Sequence, residues 1–201
     1  MVYSLVMMLN SDNNSKTLAD NKSSKLSTWQ LIREDMSANK GDWRHPGFRA
    51  LAVHRFGCWA FGLDSRPLRF MFKKLYWMLF HFVRNVYGIE IKRTATIGRN
   101  VRIAHHQGVT IGGGAEIGDR CIIRQNVNIG AASTRQSYRG RARIGNDVDL
   151  GSGAQILGPI SIGDGARIGA NVVVTTDIPP HAIVFQAKPK VIQLPPEVRH
   201  D

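Results

Sequence analysis

The chain reads as mainly β, a parallel β-helix of hexapeptide repeats, and three observations carry that reading. Ile, Leu or Val recurs in a period of six at Ile97, Ile103, Ile111, Ile117, Ile123, Ile129, Ile144, Leu150, Ile156, Ile162, Ile168 and Val174. Glycine follows directly at eight of these twelve positions, as in Gly98, Gly118, Gly145 and Gly163. The fifth position of the hexad is small or apolar, as at Val101, Cys121, Val127, Val148 and Ala166. A period of six is neither helical nor a plain strand alternation; it is the spacing of solenoids in which each hexad makes one short strand and one corner. Three hexads close a coil, so these twelve predict four coils. The first-position side chain points inward, where each contributes about 1.5–3 kcal/mol, and the glycine sits where a corner leaves no room for a side chain.

Residues 1–27 read as a disordered tail, 28–88 as an α-helical region, 89–180 as the β-helix and 181–201 as an extended C-terminal tail. The chain opens with a short apolar run to Leu9 but lacks the basic segment and small-residue cleavage site of a signal peptide, and Asn, Ser, Asp and Lys dominate from Asn10 to Ser27. One helix is expected from Gly47 to about Phe61, and Arg66-Pro67 marks a break before a second, from Pro67 to Val86. That second helix places Leu68, Met71, Phe72, Leu75, Leu79, Phe82 and Val86 on one stripe. Its charges exclude a membrane span. The stripe is expected to pack on the β-helix or a neighbouring subunit; the alternative is peripheral contact with an anionic membrane.

Two interruptions break the repeat, and in a solenoid chemistry collects where the chain leaves the prism. Two extra residues separate Ile103 from Ile111, in the stretch Ala104-His105-His106-Gln107-Gly108. Nine more, 135–143, are rich in arginine and predict a projecting loop. With 201 residues, 43% of them hydrophobic, the chain can bury a sizeable core. A net charge of +12 asks for an anionic partner: nucleic acid, anionic lipid or a phosphate-bearing cofactor, although no nucleic-acid-binding motif accompanies it. Cys58 and Cys121 are the two cysteines, and Cys121 falls at an inward position; no disulfide is expected, which suits a reducing cytoplasm.

Residues 87–189 resemble the serine acetyltransferase family of left-handed β-helix enzymes. The resemblance rests on Gly88-Ile89-Glu90-Ile91 leading to Ala104-His105-His106-Gln107-Gly108-Val109, on Leu150-Gly151-Ser152-Gly153-Ala154-Gln155-Ile156-Leu157-Gly158, and on Ile178-Pro179-Pro180-His181-Ala182. Upstream, Gly47-Phe48-Arg49-Ala50-Leu51 and Arg84-Asn85-Val86-Tyr87-Gly88 look like the short-N-terminus members associated with exopolysaccharide biosynthesis.

The resemblance implies an acetyl-CoA-dependent O-acetyltransferase with no permanently bound cofactor. His105 matches the catalytic histidine, a group whose pKa near neutrality suits a general base; His106 is the alternative in the pair and is assigned to the acceptor side. The family aspartate before the histidine is Ala104 here, and Glu90 holds the family's second acidic position as a further catalytic candidate. The pantetheine arm is placed beside Gly130, Ala131, Gly151, Ser152, Gly153, Ala154, Gly169 and Ala170, and Lys188 and Lys190 are assigned to the nucleotide phosphates. The family holds the acceptor carboxylate with an Arg-His pair in the long loop; Arg139 and Arg141 remain here without the histidine. That change, Ala104 and the front end together favour a sugar hydroxyl over L-serine as acceptor. A non-catalytic scaffold is a further alternative. A zinc-dependent carbonic anhydrase is disfavoured, since beyond His105 and His106 the repeats offer no third histidine. A homotrimer with active sites between subunits is expected, without nucleic acid.

Overall fold

A computed structural model describes residues 26–131 and 141–187. Three helices, α1 (Thr28–Ala38), α2 (Pro46–Phe61) and α3 (Arg66–Phe82), and a π-helical turn, Val83–Tyr87, precede the strands. The strands are β1 (Ile89–Ile91), β2 (Thr96–Ile97), β3 (Arg102–Ile103), β4 (Val109–Ile111), β5 (Glu116–Ile117), β6 (Ile122–Ile123), β7 (Asn128–Gly130), β8 (Arg143–Ile144), β9 (Asp149–Leu150), β10 (Gln155–Leu157), β11 (Ser161–Ile162), β12 (Arg167–Ile168), β13 (Val173–Val174) and β14 (Ile183–Val184).

They form three wholly parallel sheets, ordered β1-β4-β7-β10-β13, β2-β5-β8-β11 and β3-β6-β9-β12-β14. This is the β-solenoid that the hexads predict, consistent with a left-handed β-helix. All twelve first-position side chains are buried, and like stacks on like: Ile97 on Ile117, Ile103 on Ile123, Ile111 on Ile129. The repeat also runs further at both ends than the sequence showed. Ile91 registers with Ile111, Ile178 bridges to Ile162, and Val184 registers with Ile168. The third sheet therefore continues past the boundary drawn at residue 180.

The corner between the second and third sheets shows why polar residues follow its glycines. A Cβ on Gly98 would lie 2.4 Å from the Gly118 carbonyl carbon, so the coils touch backbone to backbone. The next residue's amide then needs an acceptor from the neighbouring coil. Arg99 N–H donates to Asp119 Oδ1 (2.7 Å), Asp119 N–H to Asn146 Oδ1 (2.8 Å) and Asn146 N–H to Asp164 Oδ1 (2.7 Å). One side-chain oxygen per coil continues the ladder around the turn.

The helical layer is joined to the first coils by buried polar groups that no motif announced. Asp35 on α1 and Arg55 on α2 form a buried ion pair, with Arg55 Nε donating to Asp35 Oδ2 at 3.0 Å. The same guanidinium donates to the carbonyls of Ile97 (2.6 Å) and Gly98 (2.5 Å). Asn39, after α1, donates to the Val101 carbonyl and accepts from Ile103 N–H, each at 3.1 Å. Gly47 permits the close approach of α2, since a Cβ there would lie 2.3 Å from the Ile103 carbonyl oxygen. At the start of α1, Ser27 and Gln30 cap each other reciprocally, so Ser27 belongs to the helix rather than to the tail assigned to it. Residues 1–25 lie outside the described residues.

Two expectations about α3 are corrected. The helix ends at Phe82, and the five residues to Tyr87 widen into a π turn closed by Gly88 in the left-handed region (φ 63°). Leu68, Met71, Leu75 and Phe82 of the stripe are also exposed in this chain and do not pack on its β-helix, which narrows the expected packing to a neighbouring subunit or a membrane surface. Tyr76 and Phe80 are the buried side chains of α3. Gly57 on α2 explains the choice: a Cβ there would sit 2.3 Å from the Tyr76 ring, so the aromatic face nests against α2 and rotates the stripe outward.

Two measurements follow. Arg55→Ala strands the Asp35 carboxylate in the interior and should lower unfolding free energy by about 3–5 kcal/mol, read from urea denaturation. His54, buried in α2, is pushed down to about 3, first by burial and then by Arg55 and Arg93. A depressed histidine stabilises the fold fully above its unfolded pKa, and that stability is lost as pH falls from about 6.5 toward the folded value, roughly 2 kcal/mol by pH 5. His54→Gln should flatten the acid limb of the stability profile.

Candidate active site

The three corners of the prism sort the expected site residues. Corners from the third sheet to the first stack along one edge: 104–108, then 124–126, 151–153, 169–171 and 185–186. Successive amides tie them together, Ala104 N–H to the Ile123 carbonyl, Arg124 to Leu150, Gly151 to Ile168 and Gly169 to Val184. His105, His106, Gly151, Ser152, Gly153, Gly169 and Ala170 all lie on this edge, and Ala154 is buried just behind it.

At the head of the edge the two extra residues bend the chain outward and expose both imidazoles. Gln107 and Gly108 both adopt positive φ (75° and 68°), and the bend is held by Gln107 N–H donating to the Tyr87 carbonyl (2.9 Å) and Asn126 N–H to the Gln107 carbonyl (3.0 Å). Ala104, where the family has aspartate, is buried, so the neighbouring carboxylate is replaced by a methyl packed inward. Below, the edge is low. A Cβ on Gly151 would lie 2.7 Å from Ala170 N, and one on Gly153 would overlap the Asn171 side chain. The adjacent coil leaves no room for a Cβ at these positions, so the edge carries small residues at Gly151, Ser152, Gly153, Gly169 and Ala170. Arg124, on the same edge, is engaged with Asp149 through two charge-assisted hydrogen bonds.

Glu90 is placed differently from the expectation. It stands on the outer face of the first sheet, opposite Thr110, and its carboxylate meets Lys92 Nζ at 2.5 Å; no hydrogen bond joins it to His105 among the described residues. Thr110 registers with Asn128, and Asn128 with Gln155, so Glu90-Thr110-Asn128-Gln155 makes a polar row across that sheet. The three new members each precede a first-position isoleucine, a pattern the repeat contained but that carried no chemical signature.

Gly130, Ala131 and Arg141 lie beyond this row, on the edge where the first sheet turns into the second. They line one pocket with Gly112, Gly113 and Ala142. Arg141 lies across Gly114, where a Cβ would fall 2.1 Å from its Nε. Within one chain, then, the expected cofactor and acceptor residues divide between two edges. Arg139, Lys188 and Lys190 fall outside the described residues. No group of three or more His, Cys, Asp or Glu placed to hold a metal ion occurs among the described residues.

Comparison with known proteins first gives the class. Residues 141–176 match the bacterial transferase hexapeptide (six repeats) model. The particular family follows from longer matches. The chain is 36% identical over 167 residues to the serine acetyltransferase of Helicobacter pylori (strain J99), which covers 81% of this chain and 92% of that protein. It is 37% identical over 148 residues to that of Synechococcus elongatus, covering 74% of this chain but only 57% of that longer protein. Soybean serine acetyltransferase complexed with serine superposes with a TM-score of 0.67 at 29% identity, over 80% of this chain and 68% of that one. This chain belongs to the serine acetyltransferase family.

Gly108 tests the geometry of the bend. With φ at 68° and a Cβ position 2.1 Å from Asn126 Oδ1, Gly108→Ala should cost about 1–2 kcal/mol, seen as a lowered Tm.

Proposed function

We propose that the chain is an acetyl-CoA-dependent O-acetyltransferase whose acceptor is the hydroxyl of L-serine, with His105 as general base. The observation that carries this is the exposed His105 at the head of the low, glycine-lined edge. A neutral ring nitrogen takes the serine hydroxyl proton as that oxygen bonds to the thioester carbonyl carbon. The carbon–sulfur bond breaks, and the imidazolium returns the proton to the departing thiolate, leaving O-acetylserine and free CoA. Gly151, Ser152, Gly153, Ala154, Gly169 and Ala170 floor the path of the pantetheine arm, and Lys188 and Lys190 are assigned to the nucleotide phosphates as point charges.

The relatives, all serine acetyltransferases, and the serine bound to the soybean protein support serine over the sugar hydroxyl expected from Ala104 and the front end. Glu90, held by Lys92, acts in this reading on acceptor placement and not as the partner of His105. The division of residues between two edges supports a homotrimer in which a neighbour's Gly130, Ala131 and Arg141 face the His105 edge. The free thiols of Cys58 and Cys121 suit a cytoplasmic setting.

Thiol release by the purified full chain with acetyl-CoA and either L-serine or sugars tests the acceptor. Turnover on serine is expected; activity confined to sugars would overturn that choice, and absence of CoA binding would favour a non-catalytic scaffold. His105→Ala should lower the rate by about 10²–10⁴. An unchanged rate would remove His105 from the chemistry.

A further inference from the structure

One aromatic ring stands on the edge that carries His105, and neither the packing of the coils nor the acyl transfer accounts for it. Beyond Gly88 the sequence holds Phe, Tyr or Trp at two positions, Tyr138 in the long loop and Phe185. Phe185 is 78% exposed, more than any other large apolar side chain among the described residues. Packing at this end comes from its neighbour Val184, which registers with Ile168 and lies against the core. The corner that carries the ring is fixed by its contacts with the coil before it. Gly169 N–H donates to the Val184 carbonyl (2.7 Å), Gln186 Nε2 donates to the Asn171 carbonyl, and Phe185 Cβ stands 3.6 Å from the Cβ position of Gly169.

Position along the edge decides what meets this ring. His105 follows β3 at the first corner of the stack and Phe185 follows β14 at the last, while the helical layer covers the first end through Arg55 and Asn39. An acyl donor with its thioester at His105 therefore extends toward the 185–186 corner. Four strand-to-strand steps separate β3 from β14, and at about 4.8 Å each they amount to about 19 Å. An extended pantetheine arm spans about 16 Å from sulfur to the first phosphorus at ordinary bond lengths. The arm thus runs out beside Gly169 and Ala170, and the nucleotide falls at Phe185. Adenine is the one flat π-system in acetyl-CoA, and a flat base stacks on an aromatic face without needing directional hydrogen bonds.

We propose, on the acetyl-CoA reading above, that Phe185 is the stacking platform for the adenine of the donor and sets the preference of the site for the full cofactor over shorter pantetheine thioesters. The ring acts on binding of the donor and not on the chemistry at His105, because it stands at the opposite end of the edge.

Equilibrium binding of CoA and of 4′-phosphopantetheine, which lacks the adenosine end, to the full chain tests this. Phe185→Ala should weaken CoA about tenfold and leave 4′-phosphopantetheine unchanged. Its KM for acetyl-CoA should rise by the same factor with kcat unaltered, since stacking remote from the thioester is equal in the ground and transition states. Phe185→Tyr keeps the ring and should bind CoA like the parent. Unchanged CoA affinity in Phe185→Ala, or an equal loss for both ligands, overturns the platform and leaves the acyl-transfer reading standing. A parent that binds no CoA overturns both together. A solution mass lower in Phe185→Ala than in the parent also overturns the platform, because the ring then belongs to a contact between copies.

Discussion

Everything in this molecule is positioned by the register of parallel strands, in which each inward residue lies directly on its equivalent one coil away. Strand-to-strand spacing of about 4.8 Å leaves no freedom for the side chain between coils. A corner that bends outward in one coil therefore sits above the same corner of the next, and residues far apart in the chain become neighbours along an edge. His105, Gly151 and Gly169 share a surface for this reason alone. The first-position residues that open these corners, Ile103, Leu150 and Ile168, are a whole number of coils apart once the two extra residues and the long loop are taken out.

The helical layer depends on that register in turn. Arg55 reads the carbonyls of Ile97 and Gly98 at a corner, and Asn39 reads the Val101 carbonyl just before β3 and the Ile103 N–H within it. These are backbone groups presented at the exposed end of the stack, where no further coil covers them. An open solenoid end would leave such groups to water or to another strand. Here two helices cover it with side-chain donors and acceptors, and the buried charge on Arg55 is matched by Asp35. The cap then sets the rotation of α3 through Gly57 and Tyr76, and so determines which of its two apolar faces is left outside.

The repeat was legible in the sequence because each hexad states the same requirement: an inward β-branched side chain, then a glycine where two backbones meet. The ends were less so. Ile91 keeps the six-residue spacing to Ile97 but has no earlier hexad to mark it, and Val184 follows the Pro179-Pro180 corner, where the period is broken. His105 could be singled out because it lies where the period fails. Thr110, Asn128 and Gln155 could not, since an outward position in a regular hexad accepts almost any polar residue. Asp35, Asn39 and Arg55 carried no signal either; they look like ordinary helix-surface residues until the partner surface is known.

The sequence by itself determined the fold class, the inward and outward assignment of the hexads and the family, since all three follow from local spelling repeated at a fixed period. Tertiary structure alone decided how the expected site divides between two edges of one chain, that Glu90 meets Lys92 and not His105, and which face of α3 meets solvent. The physical reason is common to all three. A period says which side of a strand or helix is apolar, whereas the partner of a given side chain depends on close approaches, such as Gly57 to Tyr76 or Gly114 to Arg141, between segments that the period does not relate.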